Sequence, residues 1–212
     1  MANVNRVVVL FSGGVESTCL LYYHLRRGDI VYPLYIRAGH PWEELELKNA
    51  QRLWRFTRLR YKNLMPIRVS SFPVKTLRTK EVFIPLRNLS LLAIAGAFAY
   101  CLRASSVSIG SLGHYDFEDN NRQYMKDLET LIIKGAHRQI KVEVPFMDIE
   151  KAKVIRSFKG IVPFEMTLSC IRPYVHLGKI LHCRRCQKCK ERYGAISEAF
   201  GYVTSRPIML IK

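Results

Sequence analysis

Residues 7–18, VVVLFSGGVEST, decide the fold. Residues 7–11 form an unbroken β-branched and apolar run, as expected of a strand buried on both faces of a parallel sheet. Ser12, Gly13 and Gly14 break that run, and over residues 15–26 the apolar positions recur at helical spacing. A strand that passes through a tight glycine turn into a helix makes an anion cradle. The glycines allow close backbone approach, the helix start offers N–H groups with no internal partner, and Ser12, Ser17 and Thr18 add hydroxyls. The chain contains neither GxxxxGK[ST] nor GxGxxG, which excludes the kinase-type P-loop and the dinucleotide fingerprint. An ordinary strand-to-helix turn is the bland alternative. The serines, the carboxylate of Glu16 and the place in the first strand–helix unit favour phosphate.

Working outward from this turn, strands are predicted over residues 30–36, 67–69, 106–109 and 140–144. Helices are predicted over 42–56, 87–102, 121–134, 149–157 and 187–200. In the second helix Leu45, Ala50, Leu53 and Trp54 mark the core face. Residues 70–85 carry two prolines, basic residues and no period, and read as a loop over the site. Strands alternating with helices imply an α/β fold, a doubly wound parallel sheet of about five strands with ligands at the carboxyl ends. No linker composition divides the chain. The expected organisation is an ATP-binding α/β domain over residues 1–165, with a zinc-binding segment and final helix over 166–212 packed on the same core.

The chain has 212 residues and a formal net charge of +17, which predicts attraction to polyanions such as tRNA or nucleotide phosphates. A basic solvated surface is the alternative, since charge alone specifies no partner. The N-terminus reads as a first strand, not a signal peptide, and the apolar run over 89–102 is too short to span a bilayer. A cytoplasmic protein without a membrane partner is expected.

Six cysteines are present. Cys19 and Cys101 fall in apolar helical patterns and read as buried. Cys170 is followed, after twelve residues, by Cys183, Cys186 and Cys189 in CRRCQKC. Thiolates at this spacing converge on one tetrahedral ion, with zinc the expected metal and an iron–sulfur cluster the rival. Four sulfur ligands leave no open position, so the site reads as structural. Arg184, Arg185, Lys188 and Lys190 would offset the charge of the thiolates, and His182 reads as a neighbour.

The glycine turn resembles that of the PP-loop ATP pyrophosphatases, whose usual signature is SGGxDS. Glu16 stands here where the signature has Asp. Turn and cysteines together resemble the 7-cyano-7-deazaguanine synthase family. Residues 84–99, IPLRNLSLLAIAGAFA, look like its VPGRN-type helix start. Residues 144–156, VPFMDIEKAKVIR, and the pair VPFEMTLSC and CRRCQKCKER look like the segment before its cysteines and its metal-binding end. The resemblance implies ATP-dependent adenylation of 7-carboxy-7-deazaguanine with ammonia as co-substrate, giving a precursor of queuosine and archaeosine. It implies ATP, Mg2+ and Zn2+ as cofactors, with Mg2+ at Glu16. Ser12, Gly13, Gly14, Glu16, Ser17 and Thr18 would hold the nucleotide. Arg87, opening a helix, would contact phosphate or carboxylate and, with Glu16, serve catalysis. Asn88, His40, His114 and Asp119 would line the substrate pocket, joined by Tyr115 and Asp116.

Three departures stand out: Glu16, Leu86 at the glycine of the VPGRN-type motif, and altered segments IRAGHPWEEL and GSLGHYDFEDNN at the expected base-recognising loops. Two other readings stay open, the first supported by the basic charge and the second by Glu16 and Leu86. One is a PP-loop tRNA-modifying enzyme of the thiolation type, in which the cysteines would hold a cluster or relay sulfur, the latter needing a reactive cysteine outside the metal site. The other is a non-catalytic nucleotide- or RNA-binding relative. Besides the small molecules, tRNA and a second copy of the chain are candidate partners.

Overall fold

The computed structural model describes residues 5–72, 85–113 and 117–201. Its centre is strand β1 (Arg6–Leu10), flanked by β2 (Ile30–Arg37) and β4 (Ser106–Ser108), with β3 (Arg68–Ser71) and β5 (Lys141–Glu143) outside them. The order is β3-β2-β1-β4-β5 and all four pairings are parallel. Val8 of β1 sits between Tyr32 and Val107 in the register.

Alternate β1 side chains explain why both faces are covered. Val7 and Val9 enter one apolar cluster with α1 (Val15–Arg26), α2 (Glu43–Arg60), α5 (Lys151–Ser157) and α6 (Gln187–Phe200). Val8 and Leu10 enter the other, with α3 (Arg87–Cys101) and α4 (Arg122–Ala136). The chain winds from β1 out to β3, then crosses through α3 to β4 on the opposite side. The winding therefore reverses between β1 and β4, and open α/β sheets bind ligands in the crevice at such a point.

A buried polar contact fixes that junction from below. His24 is fully buried near the end of α1; its Nδ1 lies 2.8 Å from Asp29 Oδ2 and its Nε2 3.0 Å from Ser108 Oγ on β4. Burial without these partners would be costly.

The expected core face of α2 holds at Ala50 and Leu53, with Trp54 half-buried; Leu47 is buried where Leu45 was expected. Cys101 also differs from expectation. Leu92, Ala95 and Ala99 give α3 its buried face, and Cys101, two residues beyond Ala99, turns to the opposite side and is exposed. Cys19 is fully buried, as its pattern predicted.

A hairpin was not foreseen: β6 (Tyr174–His176) pairs antiparallel with β7 (Lys179–Leu181). Its two-residue turn, Leu177 and Gly178, has φ of 46° and 71°. Such turns require positive φ at both positions, and leucine at the first hides the usual signal. Of the loop expected over residues 70–85, residues 70 and 71 belong to β3, and 73–84 lie outside the described residues.

The C-terminal segment touches the sheet domain at two levels. Ile196 and Ala199 of α6 share the cluster of α1 and α5, while Leu168, Cys170 and Cys189 form a small cluster of their own.

Candidate functional site

Gly13 has φ 77°, and a Cβ there would lie 3.1 Å from the Cα of Ala50, so glycine alone lets α2 pack this close to the turn. Gly14, extended, precedes the first residue of α1. Its carbonyl accepts from Thr18 Oγ1 at 2.6 Å and from Ser17 Oγ at 3.2 Å. Its N–H donates to Ser12 Oγ at 3.3 Å, and the Ser12 and Ser17 hydroxyls are 3.2 Å apart. Behind the turn, Leu168 N donates to Gly13 O at 2.9 Å and Val15 N to Ser169 Oγ at 3.3 Å. The segment leading into the cysteines is thus the back wall of the glycine turn.

In front of the turn lies a cavity of about 530 Å³ at the carboxyl edge of the sheet, a size typical of small-molecule sites. Ser12, Gly14, Glu16 and Ser17 line it, as do Arg87, Asn88, His40 and Asp119. Gly13 and Thr18 stand behind it, with the Thr18 hydroxyl spent on the carbonyl of Gly14. His114, Tyr115 and Asp116 lie outside the described residues.

At the head of α1, Glu16 Oε1 is 2.6 Å from Nζ of Lys151, the first residue of α5. Burial works to raise the Glu16 pKa, but the Lys151 ammonium, its hydrogen bond and the more distant Lys188 outweigh it. The carboxyl is held below its ordinary range. The loop after β4 closes on this pair: a Cβ at Gly110 would lie 3.1 Å from the carbonyl carbon of Glu16.

Arg87 opens α3, and Asn88 follows it, buried. The Asp119 carboxylate accepts from Asn88 N at 3.3 Å, and the Asn88 side-chain amide donates to the Asp119 carbonyl at 2.9 Å. An acidic side chain at a helix N-terminus complements the dipole, so Asp119 ties the β4 loop to the start of α3. Leu86, just before it, has φ 59° and ψ 22°, a left-handed conformation. Asn120 fastens the same loop by donating to Leu112 O at 2.7 Å and accepting from Ser111 Oγ.

The wall after β2 is built by the head of α2. Glu43 is buried, and its Oε1 accepts from the N–H groups of Ala38 and Gly39. Tyr35 donates to Glu46 Oε2 at 2.8 Å, and burial raises the Glu46 pKa. The rings of His40 and Trp42 stack at 4.3 Å and 11°. Burial and the nearby cations Lys188 and Arg87 lower the His40 pKa to about 4, so the imidazole is neutral at pH 7.

The four cysteines converge: their sulfurs all lie within 4.8 Å of one another. Cys183 and Cys189 are 3.9 Å apart and Cys186 and Cys170 4.0 Å apart. Backbone N–H groups of Arg172 and Cys183 point at Cys170 Sγ, and that of Cys186 at Cys183 Sγ. Such donors favour thiolates, and the set could hold a metal ion. His182 is a neighbour, its Nδ1 3.8 Å from Cys189 Sγ and its Nε2 3.1 Å from Thr167 O. Arg192 of α6, 1% exposed, spans the segment behind the glycine turn, donating to Thr167 Oγ1 at 2.5 Å and Phe164 O at 2.6 Å.

A family model described as "Queuosine biosynthesis protein QueC" matches residues 6–200. The chain belongs to the QueC family. Membership makes it an enzyme of queuosine biosynthesis. It is similar to 7-cyano-7-deazaguanine synthase 1 of Desulfitobacterium hafniense (strain Y51), 30% identical over 91% of each chain. It is similar, too, to 7-cyano-7-deazaguanine synthase of Pyrococcus abyssi, 25% identical over 93% of this chain and 95% of that one. Two solved structures share the fold at lower identity. The U34-tRNA thiolase NcsA from Methanococcus maripaludis, with its [4Fe-4S] cluster, gives a TM-score of 0.52 at 12% identity, covering 94% of this chain and 72% of that one. A 4-thiouridine synthetase in complex with RNA and ATP gives 0.54 at 16%, covering 93% and 54%. Among the described residues no helix is long and apolar enough to cross a membrane.

The resemblance read from the sequence therefore holds for family and fold. Lys151, Lys188, Glu46 and Trp42 line the cavity without having been singled out as site residues. Lys151 sits in the VPFMDIEKAKVIR segment that carried the resemblance, and this could have found it. Trp42 lies in IRAGHPWEEL, the segment expected at a base-recognising loop, whereas Glu46 carried no signal beyond its place after a strand.

Proposed function

We propose that this QueC-family enzyme adenylates 7-carboxy-7-deazaguanine with ATP and, with ammonia, converts it through the amide to 7-cyano-7-deazaguanine. The observation that carries this reading is one cavity at the carboxyl edge of the sheet. It joins the glycine turn and the Glu16–Lys151 pair to Arg87 and the His40–Trp42 stack. A carboxylate is a poor electrophile until one oxygen becomes part of a leaving group. Attack on the α-phosphorus of ATP accomplishes that and releases pyrophosphate. Ammonia displaces AMP to give the amide, and a second adenylation, at the amide oxygen, lets AMP leave with it as the nitrile forms.

The chain's own groups supply positioning and charge neutralisation. The glycine turn and first-turn N–H groups of α1 cradle phosphate, with the Ser12 and Ser17 hydroxyls beside them. Lys151 neutralises phosphate charge and keeps Glu16 ionised. Glu16 is the residue that would hold magnesium, which supplies charge compensation on the pyrophosphate when bound. Trp42 and His40 present a flat, neutral face suited to a purine-like ring.

The cysteines suit a single tetrahedral ion. Zinc–sulfur bonds of about 2.3 Å give sulfur–sulfur edges of about 3.8 Å; two of the pairs here stand at 3.9 and 4.0 Å and all lie within 4.8 Å. A cubane cluster places iron and sulfide between its cysteines and spreads them further. We therefore assign a structural zinc, held by Cys170, Cys183, Cys186 and Cys189. The segment bearing it is an appendage of the same core, since its Leu168 and Ser169 bond directly to the glycine turn.

The alternative is a PP-loop tRNA-modifying enzyme of the thiolation type, which the fold shared with the thiolase NcsA fits but for which the cavity offers no cysteine outside the cluster. The one cysteine lining the cavity is Cys170, itself in the metal cluster, while Cys19 is buried and Cys101 ends α3 elsewhere. The net charge of +17 adds an expectation of salt-sensitive tRNA contact. The test is a product assay with ATP, magnesium, ammonium and 7-carboxy-7-deazaguanine, read by mass spectrometry. Amide or nitrile with stoichiometric AMP is expected. Tight ATP binding without product would move the reading to another carboxylate or to a non-catalytic relative.

A further inference from the structure

Lys188 lies between Cys186 and Cys189, in the first turn of α6, where the sequence placed it beside the thiolates. Its side chain lines the cavity instead. It shares that lining with the cations Arg87 and Lys151 and the carboxylates Glu46 and Glu16. Both carboxylates are already engaged, Glu16 by Lys151 and Glu46 by Tyr35. Among the described residues, Lys188 makes no ion pair with either, and Arg87 makes none with Glu46 or Asp119. Two cations that line one cavity and are bridged by no carboxylate form an arrangement that an incoming anion stabilises.

Phosphate already has a place, at the glycine turn with Lys151. Arg87 and Lys188 line the cavity together with His40 and Asp119, on the loops after β2 and β4. We propose that Arg87 and Lys188 form an anion subsite for the substrate's carboxylate, and that Lys188 sets the preference for a carboxylate ligand over a neutral one. The inference rests on the substrate reading above. It also links the metal segment to recognition: the backbone of Lys188 is held between two cysteines of the cluster, so the segment that binds the metal also delivers a cation to the pocket.

The test is calorimetric titration of the full, metal-loaded chain with three probes: 7-carboxy-7-deazaguanine, its uncharged 7-cyano counterpart, and a non-hydrolysable ATP analogue. The wild type is compared with Lys188→Met and Lys188→Arg, each shown to retain the wild-type metal content. Loss of one charge-assisted hydrogen bond predicts about a 10- to 100-fold weaker Kd for the carboxylate in Lys188→Met. The cyano ligand and the ATP analogue should change by less than about threefold, and Lys188→Arg should recover much of the loss. An unchanged preference in Lys188→Met overturns the inference and leaves the substrate reading intact. An equal loss for the ATP analogue reassigns Lys188 to phosphate. A wild type that binds neither deazapurine overturns the substrate reading and this inference together.

Discussion

Residue 86 offers a stability test of the backbone at the head of α3. Leu86 adopts φ 59° and ψ 22°, and the side chain is 63% exposed. A left-handed conformation costs a residue with a Cβ about 1–2 kcal/mol, and glycine escapes that cost. Comparing Leu86→Gly with Leu86→Ala cancels the loss of the leucine side chain. Alanine keeps the strain, but gains about 0.4–1 kcal/mol over glycine because its unfolded chain is less free. The middle of each range leaves glycine ahead by about 0.8 kcal/mol, the reverse of the order in a helix interior, where alanine leads by about 1. Urea unfolding at equal m should place the glycine variant's midpoint roughly 0.2–0.5 M above the alanine variant's. An alanine variant as stable as the glycine one, or more so, would refute a left-handed backbone at this position. It would also remove the physical reason for a glycine in the VPGRN-type motif.

Other consequences follow from the site. Arg192→Met should destabilise the chain by about 1–3 kcal/mol in thermal unfolding, because Phe164 O and Thr167 Oγ1 lose their buried donor. It should also weaken ATP binding, since that segment backs the glycine turn. Removing the metal with a chelator should lower the melting temperature, and Cys183→Ser should lower the bound metal measured by mass spectrometry. Cys101→Ser, at an exposed position, should change neither. His40 should titrate near pH 4 in a proton NMR series. Its folded pKa lies below the unfolded value, so its contribution to stability is complete above about pH 6.5 and fades as the pH falls from there toward 4. A transition near 6.5 in the folded protein would show that the His40–Trp42 wall is open to water.

What was legible in the sequence follows from the range of the physics involved. Helix α1 begins at Val15 and ends at Arg26, and α6 runs from Gln187 to Phe200, both as predicted. Apolar period and the bordering glycines are local signals. The centre of the parallel sheet was legible for the same reason, since a strand buried on both faces, as β1 is, reads as a continuous apolar run. The hairpin of β6 and β7 was hidden by Leu177, whose positive φ is imposed by the turn and not advertised by the residue. Cys101 misled because an apolar stretch does not reveal which way its last turn faces. The cavity's charge arrangement was the least legible part. Lys151 is 135 residues from Glu16, and Lys188 reaches the pocket from within a metal motif, pairings that no local pattern encodes. Leu86 links the two levels: noticed as a departure from glycine, it is found in the backbone region that glycine favours.

The proposed adenylation is tested most directly by following oxygen. With both carboxylate oxygens of 7-carboxy-7-deazaguanine labelled with oxygen-18, one turnover in the presence of ATP and ammonium should place a single labelled oxygen in AMP. Complete conversion to the nitrile should label a second AMP and leave the organic product without label. AMP free of label, or label found in inorganic phosphate with ADP formed instead, would contradict activation of a carboxylate by adenylation at this site.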